Sequence, residues 1–460
     1  MDVDIKGKMT FRGGSHPPQN KKLTEDKEIL PGPAVKQIAV MLSQHIGAPC
    51  KPIVQKNDEV TAGQRIGESD AYVSAAVHSP VTGKVKDIAL RSHPIQGRSL
   101  AIVIDVDTQA QINTPKKPDM VSTEGFDAHK YTPEQICDAI SKAGLVGMGG
   151  AGFPTRVKVE PNPQLPKKAL IINGCECEPY ITCDYRMMIE RADQVITGIE
   201  LAKKASGCLE VFIGIEDNKP KAIEVMTEML KKTPAREKMR IVPLKTKYPQ
   251  GGERQLIKAV LGKDVPTGTI PPMVGVVVLN VATAAAITEA VINDKPLTHR
   301  VVTVTGQPIA NPGNYYVPIG TSVGDLIEFC GSVTEKSAKV LMGGPMMGIA
   351  IADLETPITK TSGAITLLNK EQIGRAKYKG HKTACIHCGR CLDVCPERLN
   401  PTVLAHAVRK NMFDIAQQYY ISACIECGCC SYVCPANIEL TGHIKTGKIH
   451  LAREKKRMPK

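Results

Sequence analysis

Residues Gly144–Glu160 read GLVGMGGAGFPTRVKVE, and the spacing of the glycines leaves two folds open. Gly147, Gly149 and Gly152 satisfy the pattern G-x-G-x-x-G, which in dinucleotide-binding folds follows a strand and opens a helix. The same glycines can also form a backbone loop outside such a unit. The residues on either side of the stretch decide between these two alternatives.

A helix is predicted immediately before the glycines. The segment TPEQICDAISKAG starts with Thr132 as the capping residue, Pro133 at the first helical position and Gln135 at the third. Pro154 follows the glycines closely. A strand–turn–helix unit is therefore not expected, and the stretch predicts a loop whose backbone can approach a flat or phosphorylated ligand.

The segments around this loop predict several domains. Strands at Ala169–Asn173 and Leu209–Ile215 are followed by two more, in MRIVPL and VGVVVLN. Repeated strand–loop–helix units predict an α/β layer with ligand-binding groups at the strand ends. Before this layer, residues of about 31–108 alternate between apolar and polar and predict a small all-β domain. After it, the residues from Arg300 onward predict a β-rich module with a single helix.

Two cysteine runs near the carboxyl end carry the most specific signal in the chain. CIHCGRCLDVCP and CIECGCCSYVCP share the spacing C-x2-C-x2-C-x3-C-P, which is typical of proteins with two [4Fe-4S] clusters. In such runs the fourth cysteine ligates the other cluster, and apolar residues at helical spacing between the runs predict a helical scaffold. One predicted ligand set is Cys385, Cys388, Cys391 and Cys434, and the other is Cys424, Cys427, Cys430 and Cys395.

The cysteines also allow other interpretations. Zinc sites are disfavoured, because zinc ribbons use two C-x2-C pairs for each metal. Cys429 lies beside Cys430, and the spacing favours Cys430 as the ligand and Cys429 as a packed thiol. Cys175, Cys177 and Cys183 could form a third metal site, although packed free thiols are the favoured interpretation.

Composition limits the compartment and the partners. The net charge of +13, from 59 Lys and Arg against 46 Asp and Glu, favours acidic partners or an anionic membrane face. Nucleic acid is not expected, because we find no recognition motif or basic stripe interleaved with aromatics. Sixteen cysteines and a polar amino terminus without an apolar export segment predict a soluble chain in a reducing compartment. The uncharged run Val265–Thr288 is long enough to span a membrane, but its prolines favour a buried strand followed by a helix.

Together these motifs resemble the NADH-oxidising flavoprotein subunit of respiratory complex I and, more nearly, the C subunit of the Rnf complex. The resemblance extends over almost the whole chain, and FRGGSHPP near the amino terminus is also similar to the Rnf protein. The two cysteine runs favour Rnf, because the complex I flavoprotein has a single cluster. The resemblance implies a multidomain α/β protein with an N-terminal all-β barrel-sandwich domain (1–115), an α/β FMN-binding domain (126–298), a β-grasp-like SLBB domain (299–355), an α-helical twin-[4Fe-4S] ferredoxin domain (375–440) and a basic tail (441–460).

The resemblance also implies a site for FMN and for NAD(H) as substrate. In that family the glycine loop holds FMN, and Phe153 matches the residue that stacks near the nicotinamide. Asn173 and Glu176 match flavin-side positions, and Glu178 matches one near the nicotinamide ribose. No catalytic side chain is implied, since the flavin carries the hydride chemistry. The full implied set is Gly147, Gly149, Gly150, Gly152, Phe153, Lys158, Asn173, Glu176, Glu178, Tyr248, Gly251, Gly252, Glu253, Asn280 and Thr283.

The implied function is electron transfer in a membrane-bound, ion-translocating ferredoxin:NAD⁺ oxidoreductase. FMN would exchange hydride with NAD(H), and the two [4Fe-4S] clusters would relay single electrons. The implied partners are other Rnf-type subunits, integral membrane ones included, with ferredoxin reached through a partner. The implied location is peripheral, on the cytoplasmic side of the cell membrane.

Two other functions stay open at this point. A flavin-less iron–sulfur scaffold that bridges redox partners is the first, because Cys175 and Gly252 stand where the complex I flavoprotein has acidic residues. A soluble ferredoxin-linked oxidoreductase that acts on another substrate is the second. Reduction of the clusters by NADH separates the scaffold from the flavoprotein.

Overall fold

The computed structural model describes residues 6–112, 121–233, 237–334, 337–373 and 383–457. The domain boundaries predicted at residues 115 and 375 lie outside these ranges. Within them, the strands form four sheets, and the cysteine runs lie in a helical region. The predicted combination of an all-β region, an α/β layer, a β-rich module and a helical cysteine-rich region is confirmed.

The amino-terminal β region consists of two small sheets. Its strands, after a separate strand β1 (Ile29–Pro31), are β2 (Gln37–Met41), β3 (Lys51–Pro52), β4 (Glu59–Val60), β5 (Arg65–Glu68), β6 (Val77–His78), β7 (Gly83–His93) and β8 (Gly97–Val106). One sheet has the order β2-β8-β7-β4 and the other the order β3-β5-β6. Both contribute to one apolar core, which includes Val40, Ile66, Val85 and Ile102. The two sheets therefore pack together as a sandwich.

The central α/β region is built on four parallel strands. Its elements are α1 (Thr108–Ile112), a 3₁₀ turn (Ala128–Lys130), α2 (Pro133–Lys142), α3 (Thr155–Val159), β9 (Ala169–Asn173), α4 (Cys183–Glu190), α5 (Ala192–Ser206), β10 (Glu210–Glu216), α6 (Pro220–Lys232), β11 (Met239–Leu244), α7 (Glu253–Leu261), a 3₁₀ turn (Pro271–Val274), β12 (Val276–Asn280) and α8 (Val281–Asn293). The strand order is β11-β10-β9-β12, so β10 and β11 lie on one side of β9 and β12 lies on the other. The crevice where the strand order reverses lies between β9 and β12, and this is where open α/β sheets bind ligands.

The apolar residues of β9 explain why helices cover both faces of this sheet. Leu170 and Ile172 pack into one core, and Ala169 and Ile171 into another on the opposite face. Helix α2 begins as the sequence predicts, because Thr132 Oγ1 accepts the Gln135 amide at 3.2 Å. The predicted helix before the glycine loop is confirmed.

Close packing of α5 against α8 depends on Gly198. A Cβ atom there would overlap the backbone carbonyl of Ala284 and lie 2.9 Å from Thr288 Oγ1. We expect Gly198→Ala to lower the free energy of unfolding by about 1–3 kcal/mol, because two buried helix backbones must separate. Thermal unfolding measures this loss. Gly324→Ala, where the added Cβ meets Leu354 at an ordinary 3.5 Å, is the control, and equal stability of the two variants would contradict the prediction.

The β-rich module is one mixed sheet with a single helix. Its elements are β13 (His299–Thr305), β14 (Gly313–Pro318), α9 (Val323–Phe329), β15 (Lys339–Met342), β16 (Ile349–Ile351) and β17 (Ala364–Leu368). The order is β1-β14-β13-β17-β15-β16. The sheet thus includes β1, which precedes the sandwich in the chain and pairs with β14. It also extends beyond residue 355, because β17 pairs with β13 and β15.

The carboxyl-terminal region consists of short helices around the cysteine runs. They are α10 (Arg390–Asp393), α11 (Pro401–Arg409), α12 (Phe413–Gln418), a 3₁₀ turn (Ile421–Ala423), α13 (Cys429–Tyr432) and α14 (Leu440–Arg457). The basic tail of the sequence forms most of α14, where Gly447 lies against Val408 and Ile421. The helical scaffold predicted for the cysteine runs is confirmed.

The long uncharged run of the sequence does not form a membrane segment. Val265–Thr288 contributes the buried strand β12 and the first part of α8, as the sequence predicts. Across the described ranges, no helix combines the length and the apolar character needed to cross a membrane.

Candidate cofactor sites

The glycine loop lies at the crevice between β9 and β12. The Gly147 amide donates to the Phe153 carbonyl at 2.9 Å, which closes the loop on itself. The Met148 amide donates to Thr283 Oγ1 at 3.0 Å, which ties the loop to α8. Gly149 and Gly150 are exposed, so their backbone is accessible. Because α2 precedes the loop and α3 follows it, the predicted departure from the dinucleotide fingerprint is confirmed.

Two asparagines mark the carboxyl ends of the strands below the loop. Asn173 of β9 and Asn280 of β12 are partners in the strand register. Asn173 Nδ2 donates to the Gly251 carbonyl at 2.8 Å, and Asn280 Nδ2 donates to Asp184 Oδ2 at 2.6 Å. Asn280 also caps α8, since its Oδ1 accepts the Ala282 amide at 2.8 Å. These side chains are held in place by bonds on both sides of the crevice.

Positive charge is available at the same edge. Lys158 Nζ lies 3.1 Å from Glu253 Oε1 and donates to the Val278 carbonyl at 3.2 Å. Its side chain keeps a quarter of its surface exposed, so a phosphate could replace the carboxylate as its partner. Gly252 caps α7, whose amino-terminal amides attract anions.

Glu176 and Glu178 lie in the turn after β9, and their carboxylates accept hydrogen bonds from different segments. Glu176 accepts the Asp184 amide at 2.6 Å and the Tyr185 amide at 3.2 Å, which directs its carboxylate toward α4. Burial raises the pKa of Glu176 to about 7, although the nearby Lys21 ammonium opposes this shift. Glu178 Oε1 accepts the Met346 and Met347 amides at 2.6 and 3.1 Å. Burial also raises the pKa of Glu178, and these two bonds oppose it.

The structure therefore brings most of the predicted site residues to one edge of the sheet. The open glycine backbone, a cation and two helix amino termini suit an anionic phosphate beside a flat ring. At Gly149 a Cβ atom would lie 2.6 Å from Asn280 Nδ2, so a side chain would fill the narrowest point of this cradle. The residues present fit FMN. The members at this edge are Gly147, Gly149, Gly150, Phe153, Lys158, Asn173, Gly251, Gly252, Glu253, Asn280 and Thr283. Glu176, Glu178 and Tyr248 lie at its side, and Gly152 lies against Gln44 and Thr361, away from the strand ends.

One cavity of the carboxyl-terminal region is lined by cysteines from both runs. They are Cys395, Cys424, Cys427 and Cys430, and Cys429 also lies in the lining. The Leu399 amide donates to Cys395 Sγ at 3.3 Å, and the Glu426 amide donates to Cys424 Sγ at 3.4 Å. Burial raises the pKa of Cys424 to about 11, and the neighbouring Cys427 and Cys395 add to this shift. This set is the one that the exchange of the fourth cysteines predicts, and four thiols around one cavity fit a [4Fe-4S] cluster.

The other four cysteines lie nearer to the surface. Cys385 and Cys388 are exposed, Cys434 is partly buried and Cys391 is buried. Burial, followed by the neighbouring Cys430, Cys434 and Cys388, raises the pKa of Cys391 to about 11. The thiols of Cys388, Cys391 and Cys434 are thus close enough to interact, as a shared cluster requires.

A buried apolar contact joins the flavin side to the cysteine-lined cavity. Tyr248, Cys427 and Cys429 pack together, with Cys177 and Met346 against them. Cys429 Sγ donates to the Tyr248 carbonyl at 3.8 Å and also lines the cavity, so the choice of Cys430 over Cys429 as the ligand stays a prediction. The contact is continuous from the turn after β9 to a predicted cluster ligand.

Four family models match the chain in the order of these regions. They describe an RnfC barrel sandwich hybrid domain (residues 9–109), a Nuo51 FMN-binding domain (140–289), an SLBB domain (301–350) and a 4Fe-4S dicluster domain (377–435). The matches to the FMN-binding and dicluster models agree with the two sites described above.

Two curated relatives resemble the chain over most of its length. The C subunit of the proton-translocating ferredoxin:NAD⁺ oxidoreductase complex of Clostridium ljungdahlii is 43% identical over 415 residues, which cover 89% of this chain and 87% of the relative. The C subunit of the Na⁺-translocating ferredoxin:NAD⁺ oxidoreductase complex of Acetobacterium woodii is 40% identical, and the match covers 88% of each chain. The chain belongs to the family of C subunits of ion-translocating ferredoxin:NAD⁺ oxidoreductases.

Among solved structures, the fold of the chain is similar to that of an NAD⁺-reducing [NiFe]-hydrogenase. The air-oxidised form of such an enzyme is 22% identical, with a TM-score of 0.51, over 67% of this chain and 57% of the hydrogenase chain. This likeness concerns the fold alone. The cofactors of the Rnf-type chain, FMN and two [4Fe-4S] clusters, follow from its FMN-binding and dicluster domains.

Cys175, Cys177 and Cys183, which the sequence allowed as a third metal site, pack in different places of this Rnf-type chain. Cys175 belongs to the core on one face of the central sheet, and Cys183 belongs to the core on the other face. Cys177 packs beside Tyr248 and accepts the Gly251 amide at 3.4 Å. The positions of Cys175 and Cys177 agree with the interpretation of packed thiols, whereas the Cys183 thiol lies within 4.8 Å of carboxylate oxygens of Glu176 and Asp184, a group that could hold a metal ion.

Two buried lysines of the Rnf-type chain were missed at the sequence level. Lys21 and Lys219 donate to backbone carbonyls of residues 175–181, directly behind the predicted flavin-side residues. Lys21 lies more than 150 residues before this turn in the sequence, in a polar segment without periodicity. No local pattern could have revealed it.

Proposed function

We propose that this protein exchanges hydride with NAD(H) at an FMN bound in the crevice between β9 and β12, and passes single electrons through its two clusters. The curated relatives are named as ferredoxin:NAD⁺ oxidoreductase subunits, and the donor set at the crevice supports FMN binding. FMN, when bound, supplies the exchange between a two-electron hydride and single electrons. The protein holds the reactants and sets their electrostatic surroundings.

The roles of the site residues follow from their positions. Lys158 and the amino termini of α7 and α8 bind the phosphate, and the glycine loop provides backbone amides without side-chain obstruction. Asn173 holds the Gly251 carbonyl and thereby fixes the edge of the ring site. Phe153 stacks near the nicotinamide, and Glu178 orients the ribose from its two backbone bonds.

The contact between Tyr248 and Cys427 supports the order in which we propose that electrons pass between the flavin and the two clusters. Cys427 belongs to the predicted ligand set of Cys395, Cys424 and Cys430, and its contact with Tyr248 supports a position of this cluster on the flavin side. Cys385 and Cys388 of the other set are exposed, which supports a position of the second cluster at the surface. Electrons therefore move between the flavin, the cluster of Cys427 and the cluster of Cys388, in this order or its reverse.

The surface around the outer cluster suits a redox partner with acidic groups. Ile386 is 64% exposed and Tyr432 is 47% exposed, so apolar contact area is available beside Cys388. The exposed cations Lys445, Arg453 and Lys455 of α14 give the carboxyl-terminal region positive charge, and Lys445 lies 3.9 Å from Glu426 of the second cysteine run. We place the other subunits of the complex, integral membrane ones included, on this side, with ferredoxin reached through one of them. The chain itself lies peripherally on the cytoplasmic face of the cell membrane.

Anaerobic titration with NADH tests this function. We expect NADH to bleach the flavin absorbance of the reconstituted full chain and to reduce both clusters, as followed by electron paramagnetic resonance. Dithionite serves as the control that reduces the clusters directly. A chain whose clusters respond to dithionite but stay oxidised with NADH would be a scaffold without flavin chemistry, and the proposal would be wrong.

A further inference from the structure

The amino-terminal segment of residues 6–25 crosses the junction between the flavin region and the cluster region. Met9 pairs with Leu244 next to β11, and Ser15 pairs with Tyr248. The Gly14 amide donates to the Val394 carbonyl at 2.8 Å, one residue before the ligand Cys395. The segment is therefore held on both sides of the junction, and this fixes the position of Lys21 at its far end.

The Lys21 ammonium is buried under the turn that follows β9. Only 5% of the residue is exposed, and its Nζ donates to the carbonyls of Glu176, Glu178 and Ile181 at 2.8, 3.0 and 2.6 Å. All three protons of the ammonium are thus used on backbone groups of one turn. Lys219 supports the same turn, because its Nζ donates to the Cys175 carbonyl at 2.5 Å.

Carboxyl groups surround these two ammonium groups. Glu176 and Glu216 face Lys21, Lys219 lies beside both, and Asp184 lies next to Glu176. Glu178, Asp184 and Cys177 also lie within electrostatic range of Lys21. Burying an ammonium costs several kcal/mol of folding free energy unless it is paired, and burial lowers the pKa of Lys21 while the Glu176 carboxylate opposes this shift. A turn that needed only mechanical support could be closed by backbone amides.

We propose that Lys21 is a positioning residue for the flavin reaction, which fixes the turn 176–181 through three carbonyls and keeps a positive charge behind it. The inference rests on the proposed function, because the other side of this turn presents Glu178 to NAD(H) and follows Asn173 at the ring site. A cation near the ring stabilises the reduced flavin, which carries more negative charge than the oxidised form. The hydrogen bond of Lys21 to the Glu178 carbonyl holds the backbone from which the Glu178 side chain reaches the Met346 and Met347 amides.

The test compares Lys21→Met, Lys21→Gln and Lys21→Arg in the FMN-loaded full chain. We expect the midpoint potential of the flavin to fall in Lys21→Met and Lys21→Gln, which lose the charge, and to stay near wild type in Lys21→Arg. We also expect the KM for NADH to rise about tenfold in Lys21→Met with a smaller change in kcat, because a displaced Glu178 weakens ground-state and transition-state binding alike. Lys22→Met, at an exposed neighbour, is the matched control and should change neither quantity.

The outcomes that would contradict the role of Lys21 differ from the outcome that would contradict the proposed function. Equal flavin potentials in Lys21→Gln and Lys21→Arg would overturn the electrostatic role, and this comparison holds even where Lys21→Met does not fold. An unchanged KM for NADH in folded Lys21→Met and Lys21→Gln would overturn the positioning role. A wild-type chain that binds FMN but is not reduced by NADH would instead contradict the proposed function, and the flavin potentials of the variants stay measurable with dithionite and mediators.

Discussion

Replacing Cys395 with serine will remove the cluster on the flavin side, although Cys395 belongs to the first cysteine run. Its thiol lies around the same cavity as Cys424, Cys427 and Cys430 of the second run. We expect the iron content to fall from about eight to about four atoms per chain, since each [4Fe-4S] cluster needs four ligands. Reduction of the remaining cluster by NADH will be lost or slowed by orders of magnitude, because the intermediate relay is missing. Iron analysis and electron paramagnetic resonance after NADH addition measure both effects.

Two adjacent cysteines offer the matched control for this prediction. Cys430→Ser should reproduce the spectrum of Cys395→Ser, whereas Cys429→Ser should keep both clusters, because Cys429 packs against Tyr248. The substitutions are chemically identical and affect neighbouring positions of α13. If Cys395→Ser instead matched Cys391→Ser in its remaining spectrum, the ligand exchange between the runs would be wrong.

Gly149→Ala will weaken FMN binding while leaving the clusters intact. The added Cβ atom would lie 2.6 Å from Asn280 Nδ2 and 2.9 Å from Asn280 Cβ. Asn280 cannot retreat without cost, because it caps α8 and donates to Asp184 at 2.6 Å. The loop must therefore shift away from the strand ends, and we expect FMN affinity to fall by at least about tenfold, or about 1.4 kcal/mol. Flavin content after gel filtration and the flavin dissociation constant measure this loss.

The control for this variant carries the same added methyl group far from the crevice. In Gly442→Ala the new Cβ atom meets Glu439 Cβ at an ordinary 3.7 Å, so FMN content should stay at the wild-type value. Iron content should be equal in both variants, which shows that the chain folds. Normal FMN affinity in Gly149→Ala would mean that the cradle lies elsewhere.

Much of the architecture could be predicted from local patterns. The strand Ala169–Asn173 and the capped helix before the glycine loop were predicted at their observed bounds, because apolar runs and capping residues act over a few positions. The prolines within Val265–Thr288 were enough to predict a buried strand and a helix there, and not a membrane-spanning helix. The limits of the β-rich module were not predictable in this way. Strand β1 reaches its sheet by pairing with β14, almost 300 residues later in the chain.

Some features of the cofactor sites could likewise be predicted from the sequence, and others could not. The spacing of the cysteines within each run, together with general knowledge of such runs, was enough to predict two clusters and their shared ligands. Which cluster lies beside the flavin was not contained in either run. That order depends on the contact of Tyr248 with Cys427 across the domain junction.

The sequence by itself determined the elements, the kinds of cofactor and the glycine loop, because each depends on residues that are neighbours along the chain. Only the tertiary structure decided that Lys21 lies under the turn after β9 and that Cys427 packs against Tyr248. These features join segments that are far apart in sequence. Their energies come from burial and charge pairing that exist only after the domains have packed, so no local pattern encodes them.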